Sequence, residues 1–267
     1  MNGAKGDMRT DIKRLAIESA RKAGGILKEN LGRRKSVEFK GAIDLVTEVD
    51  RLSEDFIVGE IERAFPGHGI LAEESAEKVK ASPYKWIIDP LDGTTNFSHG
   101  FPFFCVSIAF EEHGKVVLGA VYDPMMDELF TAEEGHGAFL NGERIRVSGT
   151  DSLDTSLLAT GFPYDLRSSK ENNIDHFARF SIKAQAIRRA GSAALDLCYT
   201  ASGRFDGYWE MKLRPWDVAA GALIAAEAGG KLTDFKGGPF SIYGRECLAS
   251  NGLVHDQMVR ILTKEEQ

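Results

Sequence analysis

Hydrophobic positions in the first 65 residues recur at the spacing of two amphipathic helices. The first set falls three or four residues apart and stops near Gly32: Ile12, Leu15, Ala16, Ala23, Ile26 and Leu27. The second set is predicted to share one helix face: Val49, Leu52, Phe56, Ile61 and Phe65. A short strand is predicted between the two helices, at residues 37–40.

From residue 70 onward the pattern changes to short apolar runs separated by turn residues, which is typical of β-strands. A hairpin is predicted where residues 103–110 and 116–122 flank a Glu-His-Gly-Lys turn. Further strands are expected at residues 129–131, 138–140 and 145–147, the last one following an Asn-Gly turn. The first half, residues 1–148, is therefore predicted to be two helices on a largely antiparallel sheet.

A polar join at residues 148–153 is the predicted boundary, and the second half, residues 149–267, alternates strands with helices. Strands are expected at 156–160, 185–189 and 205–209, and helices at 173–180, 193–201, 215–228 and 253–262. Pro215 suits the first turn of a helix, and the Gly-Gly pair at residues 229–230 ends it. The fold class is therefore α/β, with an α+β first half and a layered second half.

Composition narrows the class of protein. The chain has 267 residues, 43% of them hydrophobic, enough for one large domain or two closely packed halves. Its formal net charge of −7 argues against nucleic-acid partners and anionic membranes. No apolar run is long enough to predict a membrane span, and no secretory signal is recognised. The three widely spaced cysteines are expected to be buried thiols, which suits the cytoplasm.

The candidate chemistry is concentrated in residues 86–97, Trp-Ile-Ile-Asp-Pro-Leu-Asp-Gly-Thr-Thr-Asn-Phe. Apolar strand residues lead to Asp89, and Pro90 is predicted to break the strand there. Asp92 follows in the turn, and two acids this close repel each other unless a cation lies between them. The carbonyl of Leu91 is a further oxygen that a hard divalent ion could use.

The residues after this acid pair, Gly93, Thr94 and Thr95, are small enough to turn their N–H groups toward an anion. Metal ligands beside an anion-binding turn indicate a phosphate ester site. The alternative is a plain loop, because Asp-Pro and Asp-Gly are common turn dipeptides.

Acidic residues elsewhere fit the same site. Glu73 follows a predicted strand, and Asp217 lies in the first turn of a helix rich in small residues. Asp50 lies near the start of the second helix. Each also has an ordinary interpretation as a solvated charge or a helix cap. Ser192, after Gly191, could equally cap a helix or help to bind a hydroxyl or phosphate group.

Four blocks together resemble the inositol monophosphatase family in order and spacing. They are residues 44–50 (Asp-Leu-Val-Thr-Glu-Val-Asp), 70–75 (Ile-Leu-Ala-Glu-Glu-Ser), 86–97 and 216–221 (Trp-Asp-Val-Ala-Ala-Gly). Residues 188–194 and 213–217 look most similar to bacterial-type members. The resemblance covers nearly the whole chain and implies a layered α-β-α-β-α sandwich and a homodimer.

The resemblance also implies a set of Mg²⁺ ligands. Glu73, Asp89 and the Leu91 carbonyl would hold one ion, and Asp89, Asp92 and Asp217 a second, so that Asp89 bridges the two. A third ion near Glu73, beside a flap at residues 40–44, is also implied.

The remaining roles concern water and substrate. Glu73 and Thr94 would orient and deprotonate the attacking water, with Asp50 hydrogen-bonded to Thr94. The N–H groups of Gly93 and Thr94 would hold the phosphate. The other implied substrate contacts are Glu73, Leu91, Asp92, Arg189, Gly191, Ser192, Ala193, Glu210 and Asp217.

The predicted function is Mg²⁺-dependent hydrolysis of a phosphate monoester, with myo-inositol monophosphate as substrate, in-line attack by water and inhibition by Li⁺. Related enzymes act on fructose 1,6-bisphosphate, histidinol phosphate or 3′-phosphoadenosine nucleotides, so dual inositol and fructose phosphate activity is one alternative. A transcription- or RNA-associated role on the same fold is another. A covalent mechanism of the haloacid-dehalogenase type is disfavoured, because two residues rather than one separate Asp89 from Asp92.

Overall fold

The computed structural model describes residues 2–32, 37–39, 45–75, 77–78 and 80–264. In these ranges it has seven α-helices: α1 (Asn2–Asn30), α2 (Glu48–Ala64), α3 (Thr94–Ser98), α4 (Ile174–Ser181), α5 (Ala193–Ala201), α6 (Pro215–Glu227) and α7 (His255–Thr263). A small antiparallel pair joins β1 (Val37–Phe39) to β2 (Leu45–Thr47). None of the helices in the described ranges has the length and apolar character needed to cross a bilayer.

A seven-stranded sheet forms the first half. Its strands lie side by side in chain order: β3 (Gly69–Ala72), β4 (Tyr84–Asp92), β5 (Cys105–Glu112), β6 (Lys115–Asp123), β7 (Glu128–Glu133), β8 (Gly137–Leu140) and β9 (Glu143–Arg144). The first two are parallel, and every later neighbour is antiparallel. The prediction of a largely antiparallel sheet is confirmed.

A five-stranded mixed sheet forms the second half. Its strands are β10 (Leu157–Thr160), β11 (Ala186–Arg188), β12 (Gly207–Met211), β13 (Lys231–Thr233) and β14 (Glu246–Ser250). Their spatial order is β11-β10-β12-β14-β13, with β10 parallel to both of its neighbours. The predicted alternation of strands and helices is confirmed as far as α6, and β13 and β14 were not predicted.

The elements stack in five layers, as the sequence predicted. The α1 and α2 helices cover one face of the seven-stranded sheet through a core that includes Ile12, Ile57 and Trp86. The α5 and α6 helices lie between the two sheets, where the small residues of α6 are buried. The α4 and α7 helices cover the outer face of the five-stranded sheet, with Phe180 stacked on Trp209 at 4.0 Å between ring centres. The order is therefore α-β-α-β-α.

The predicted strand break at Pro90 is wrong, because β4 continues to Asp92. Asp89 pairs with Ser107 and Asp92 with Cys105, so three steps along β4 match two along β5. This β-bulge admits a residue that has no N–H to donate. The end of β4 therefore carries both Asp89 and Asp92, whereas the prediction placed Asp89 at the strand end and Asp92 in a turn.

Two further local predictions fail for physical reasons. Leu52, predicted to lie on the buried face of α2, is 49% exposed. The buried face of this helix includes the polar residues Asp50, Ser53 and Glu54 and does not include Leu52. The strand predicted at residues 145–147 lies earlier in the chain, at β9. After β9 the chain leaves the sheet, and the Val147 N–H donates to the Ala228 carbonyl. The predicted boundary at residue 148 falls between the last strand of the first sheet and the first strand of the second.

Candidate active site

A cavity of about 580 Å³ opens where the ends of β3 and β4 face the helix ends of the second half. It is lined by acids from both halves: Glu73, Asp89, Asp92, Asp165, Asp196, Glu210 and Asp217. Residues more than 140 positions apart in the chain therefore share one enclosure. This convergence is what the predicted metal site requires.

The end of β4 is fixed by short local hydrogen bonds. The Leu91 N–H donates to Asp89 Oδ1 at 3.0 Å. Thr94 Oγ1 lies 3.1 Å from Asp50 Oδ1 and 3.1 Å from the Leu91 carbonyl oxygen. Since a hydroxyl has a single hydrogen, it donates to one of these acceptors at a time and keeps lone pairs free to accept.

Helix α2 holds both strand ends through three buried polar residues on one face, Asp50, Ser53 and Glu54. Ser53 Oγ donates to the Pro90 carbonyl at 2.9 Å, and the Glu74 N–H donates to Glu54 Oε2 at 2.8 Å. Positions three and four apart on a helix share a face, so one helix fixes the segments carrying Glu73, Asp89 and Thr94. Sequence reasoning identified Asp50 alone, because Ser53 and Glu54 look like ordinary surface residues.

Asp92 and Asn96 connect the two halves. Asp92 Oδ2 accepts from Ser192 Oγ at 2.6 Å and from the Ala194 N–H at 2.7 Å, at the start of α5. Asn96 Nδ2 donates to the Ala190 carbonyl at 2.8 Å. Ser192 also caps α5 by accepting from the Leu195 N–H, so its sequence-predicted capping role is confirmed.

The predicted substrate contacts around Gly191 therefore already have protein partners. Burial raises the pKa of Asp92, and the hydroxyl of Ser192 and the N–H of Ala193 both interact with that carboxyl and oppose the rise. Their contact with substrate stays a prediction. Gly191 and Arg189 line the cavity, and the Arg189 guanidinium lies 5.5 Å from the centre of the Phe162 ring.

Asp217 reaches the cavity from the first turn of α6. Its Oδ2 accepts from the Arg214 N–H at 2.6 Å, which caps the helix and holds the carboxylate in place. Burial raises the pKa of Asp217, and repulsion from Asp92 and Glu73 raises it further. The Asp217 side chain thus caps the helix and also lines the cavity. Its interpretation as a helix cap is therefore compatible with its interpretation as a site residue.

Burial and mutual repulsion disfavour the ionised form of these acids. Burial raises the pKa of Asp89 well above its ordinary value, and the charges of Glu73, Asp92 and Asp217 raise it further. Burial also raises the pKa of Asp217 well above normal and that of Asp92 to about 6. A cluster of this kind is stable only with bound protons or with a cation.

The donor set fits a hard divalent cation. Within the described ranges no three His, Cys, Asp or Glu side chains already stand as ligands around one point. The fit rests on chemistry: four carboxylates and the Leu91 carbonyl line one cavity, and all are oxygen donors of the type Mg²⁺ prefers. The predicted flap at residues 40–44, with the third ion beside it, lies outside the described residues.

Glu210 lies on β12, in the part of the cavity formed by the second half. Its Oε2 accepts from the Tyr208 hydroxyl at 2.7 Å. Burial raises the pKa of Glu210 to about 7, while Tyr208 and Arg189 act to lower it. A Cβ atom on Gly161 would lie 2.1 Å from Glu210 Oε2, so only glycine leaves room for this carboxylate.

Sequence reasoning found every acid implied as a metal ligand but missed several lining residues, among them Asn96 and Asp196. Asn96 was within a quoted block and had no role assigned. Asp196 was not singled out, although it is the one acid in the apolar run of α5 (Ala193–Ala201), which is the signal that could have found it.

Comparison with known proteins agrees with this architecture. The sequence model described as the inositol monophosphatase family matches residues 8–267. An inositol-1-monophosphatase from Mesorhizobium japonicum is 41% identical over 96% of this chain and 97% of its own. A Nus factor SuhB from Vibrio cholerae is 46% identical over 89% of this chain and 90% of its own.

Among solved structures, an inositol monophosphatase from Anabaena superposes with a TM-score of 0.88 at 43% identity, covering 97% of each chain. The fold and the family match both extend over nearly the whole sequence. The protein belongs to the inositol monophosphatase family. Family membership supports phosphatase activity and the metal dependence that is general in the family.

Proposed function

We propose that the protein is a Mg²⁺-dependent phosphatase that hydrolyses myo-inositol monophosphate or a closely similar polyol phosphate. The observation that supports this most is the convergence of Glu73, Asp89, Asp92 and Asp217 at one cavity, where the charges of the other three acids raise the pKa of Asp89. Hydrolysis of a phosphate monoester needs charge neutralisation and positioning more than a covalent nucleophile. A cluster of carboxylates that binds a cation can supply this charge neutralisation and positioning.

Glu73, Asp89 and the Leu91 carbonyl would hold one Mg²⁺, and Asp89, Asp92 and Asp217 a second. When bound, Mg²⁺ supplies positive charge that neutralises the acids and the phosphate and makes water more acidic. The burial of Asp89, and the effect of the charges of Glu73, Asp92 and Asp217 on its pKa, support its role as the shared ligand.

The remaining groups position water and phosphate. Because the Thr94 hydroxyl donates to Asp50 or to the Leu91 carbonyl, its lone pairs accept a hydrogen bond from the attacking water. Glu73, also at the cavity, accepts the second proton of that water. The N–H groups of Gly93 and Thr94 bind the phosphate, and Glu210 accepts from a substrate hydroxyl.

The family resemblance supports three finer expectations: a homodimer, inhibition by Li⁺ through competition for a Mg²⁺ position, and a cytoplasmic enzyme. Dual activity on inositol and fructose phosphates is the nearest alternative substrate range, since the same acids serve any phosphate monoester.

The direct test is a phosphate-release panel with inositol monophosphate, fructose 1,6-bisphosphate, histidinol phosphate and 3′-phosphoadenosine nucleotides, each with Mg²⁺ and with chelator. We expect the highest kcat/KM for inositol monophosphate and no turnover in chelator. A higher kcat/KM for another substrate would reassign the substrate. Undiminished release in chelator would contradict the metal dependence.

A transcription-associated role is a second candidate, supported by the 46% identity to a protein named Nus factor SuhB. The formal net charge of −7 does not favour direct RNA binding, so a protein partner is the more consistent form of this role. Co-purification of transcription factors with the Asp89→Asn variant would show that this role is independent of catalysis. Salt-dependent binding to RNA would indicate a nucleic-acid partner instead.

A further inference from the structure

Asp196 is a buried acid with one unpartnered carboxyl oxygen among the described residues. Only 1% of its surface is exposed, and its Oδ1 has no hydrogen-bond partner in the described part of the chain. A buried carboxyl without a partner is costly, so such a group needs a specific explanation. Asp196 does not supply the N-cap of α5, since that cap is Ser192.

The location of Asp196 supplies that explanation. It lines the same cavity as Glu73, Asp89 and Glu210, although it is almost completely shielded from bulk solvent. Among the charges acting on it, Glu210 has the largest effect and Asp92 follows. Asp196 therefore lies beside the carboxylate proposed to bind substrate hydroxyls, and Asp92 is the proposed metal ligand whose charge also acts on it.

Resting on the proposed function, we infer that Asp196 is a specificity-determining residue that, together with Glu210, binds a hydroxyl group of a polyol phosphate. A hydroxyl can donate one hydrogen bond and accept another, so it can link two acids that do not bond to each other. Burial raises the pKa of Asp196 well above its ordinary value and so favours the neutral carboxyl, which is the form that can donate. The arriving hydroxyl then donates to Glu210.

This arrangement specifies a class of substrate. A phosphate ester with hydroxyl groups near the ester carbon satisfies the unpartnered oxygen of Asp196. An aryl phosphate that has no hydroxyl leaves it unsatisfied. The metal-binding acids treat both esters alike, so discrimination comes from Asp196 and Glu210.

The test is a substrate-specific effect of Asp196→Leu, a near-isosteric change that removes both polar oxygens. We expect the KM for inositol monophosphate to rise about tenfold, as loss of one hydrogen bond to a polar group predicts, with kcat within about threefold. With p-nitrophenyl phosphate we expect kcat/KM to change by less than about twofold. Asp196→Asn keeps a donor and an acceptor and should stay within about threefold of wild type on both substrates.

Controls separate recognition from folding. Asp123 is also buried with an unpartnered oxygen, but it lies outside the residues that line the cavity, so Asp123→Asn should leave both substrates unaffected. The thermal midpoint of Asp196→Leu should be equal to or above that of wild type, since an apolar side chain replaces an unsatisfied acid.

Equal losses on both substrates, or no loss on either, would overturn the recognition role of Asp196 while leaving the proposed phosphatase intact. An Asp196→Asn variant as impaired as Asp196→Leu would also overturn it. Absence of phosphate release by the wild-type enzyme from every ester, with Mg²⁺ present, would overturn the proposed function and this inference together.

Discussion

The two sides of the cavity are built differently. The first wall consists of Glu73, Asp89, Leu91, Asp92 and Thr94, all within 22 residues of the chain and fixed by strand pairing and by α2. The second wall consists of Gly161, Arg189, Asp196, Glu210 and Asp217, which come from separate strands, helices and loops. Only Asp217 of the second wall belongs to the proposed metal site.

This difference indicates a division of labour. The first wall is acidic and rigid, which suits cation binding and alignment of water. The second wall also presents the cationic side chains Arg189, Lys212 and Arg214 along loops, where changes of sequence are tolerated. We therefore expect the first wall to carry the chemistry and the second wall to select the substrate.

The largest effect is expected from Asp89→Asn in the first wall. Because one carboxylate is proposed to serve both ions, kcat should fall at least about 10³-fold on every substrate. In the presence of chelator the thermal midpoint should rise, since one member of a repelling cluster becomes neutral. Phosphate release and thermal unfolding measure both effects, and full turnover by this variant would defeat the bridging assignment.

A smaller loss is expected from Glu54→Ala, which removes the α2 contact that holds the Glu74 N–H. Displacement of Glu73 should lower kcat by up to about 10²-fold with little change in KM, because positioning rather than binding is lost. Asp55→Ala, on the exposed side of the same helix, is the matched control and should behave as wild type. A KM effect without a kcat effect would place α2 in substrate binding instead.

Changes in the second wall should act on KM. Glu210→Ala is expected to raise the KM for inositol monophosphate about tenfold while kcat stays within about threefold. Gly161→Ala should do the same, because its Cβ would lie 2.1 Å from Glu210 Oε2 and displace that carboxylate. In the Glu210→Ala background, Gly161→Ala should add nothing. An additive loss in the double variant would mean that Gly161 acts on something else.

The smallest effect on activity, but a clear one on stability, is expected at His255 in the second half. This side chain is fully buried and bonds Thr233 and Ser250, and burial lowers its pKa from 6.5 to about 4. Between about pH 4 and 6.5, His255 is therefore protonated in the unfolded chain and neutral in the native protein. The stabilisation is complete above about pH 6.5 and is lost as pH falls toward 4, by at most about 3 kcal/mol.

Urea unfolding of wild type and His255→Asn at a series of pH values isolates this contribution, since the carboxylates are common to both proteins. The difference in unfolding free energy should shrink as pH falls. A difference independent of pH would contradict the linkage and leave His255 a packing residue only.

Much of the first wall could be predicted from the sequence, because its groups are close together in the chain and follow recognisable strands. Asp89, Asp92, Glu73 and Thr94 all line the cavity as expected. The bulge at Pro90 could not be predicted, since its register is set by the pairing of β5. The buried polar face of α2 was missed because Ser53 and Glu54 are buried only through tertiary contacts with Pro90 and Glu74.

The second wall was harder for the same reason. Ser192 was predicted to bind substrate or cap a helix, and the structure shows that it caps α5 and holds Asp92. Asp196 was missed because an acid in a helix is usually solvated, and only the packing of α5 between two sheets buries it. Local pattern locates strand ends and helix starts, whereas the partners across the cavity depend on how the two sheets stack.

The central claim is that acids from both sheets bind the same cations, and calorimetric titration of Mg²⁺ into chelator-stripped Asp217→Asn tests it most directly. If Asp217 completes a site built on the first wall, Mg²⁺ affinity should fall at least about tenfold relative to wild type and to Asp123→Asn. Unchanged Mg²⁺ affinity in Asp217→Asn would contradict the claim.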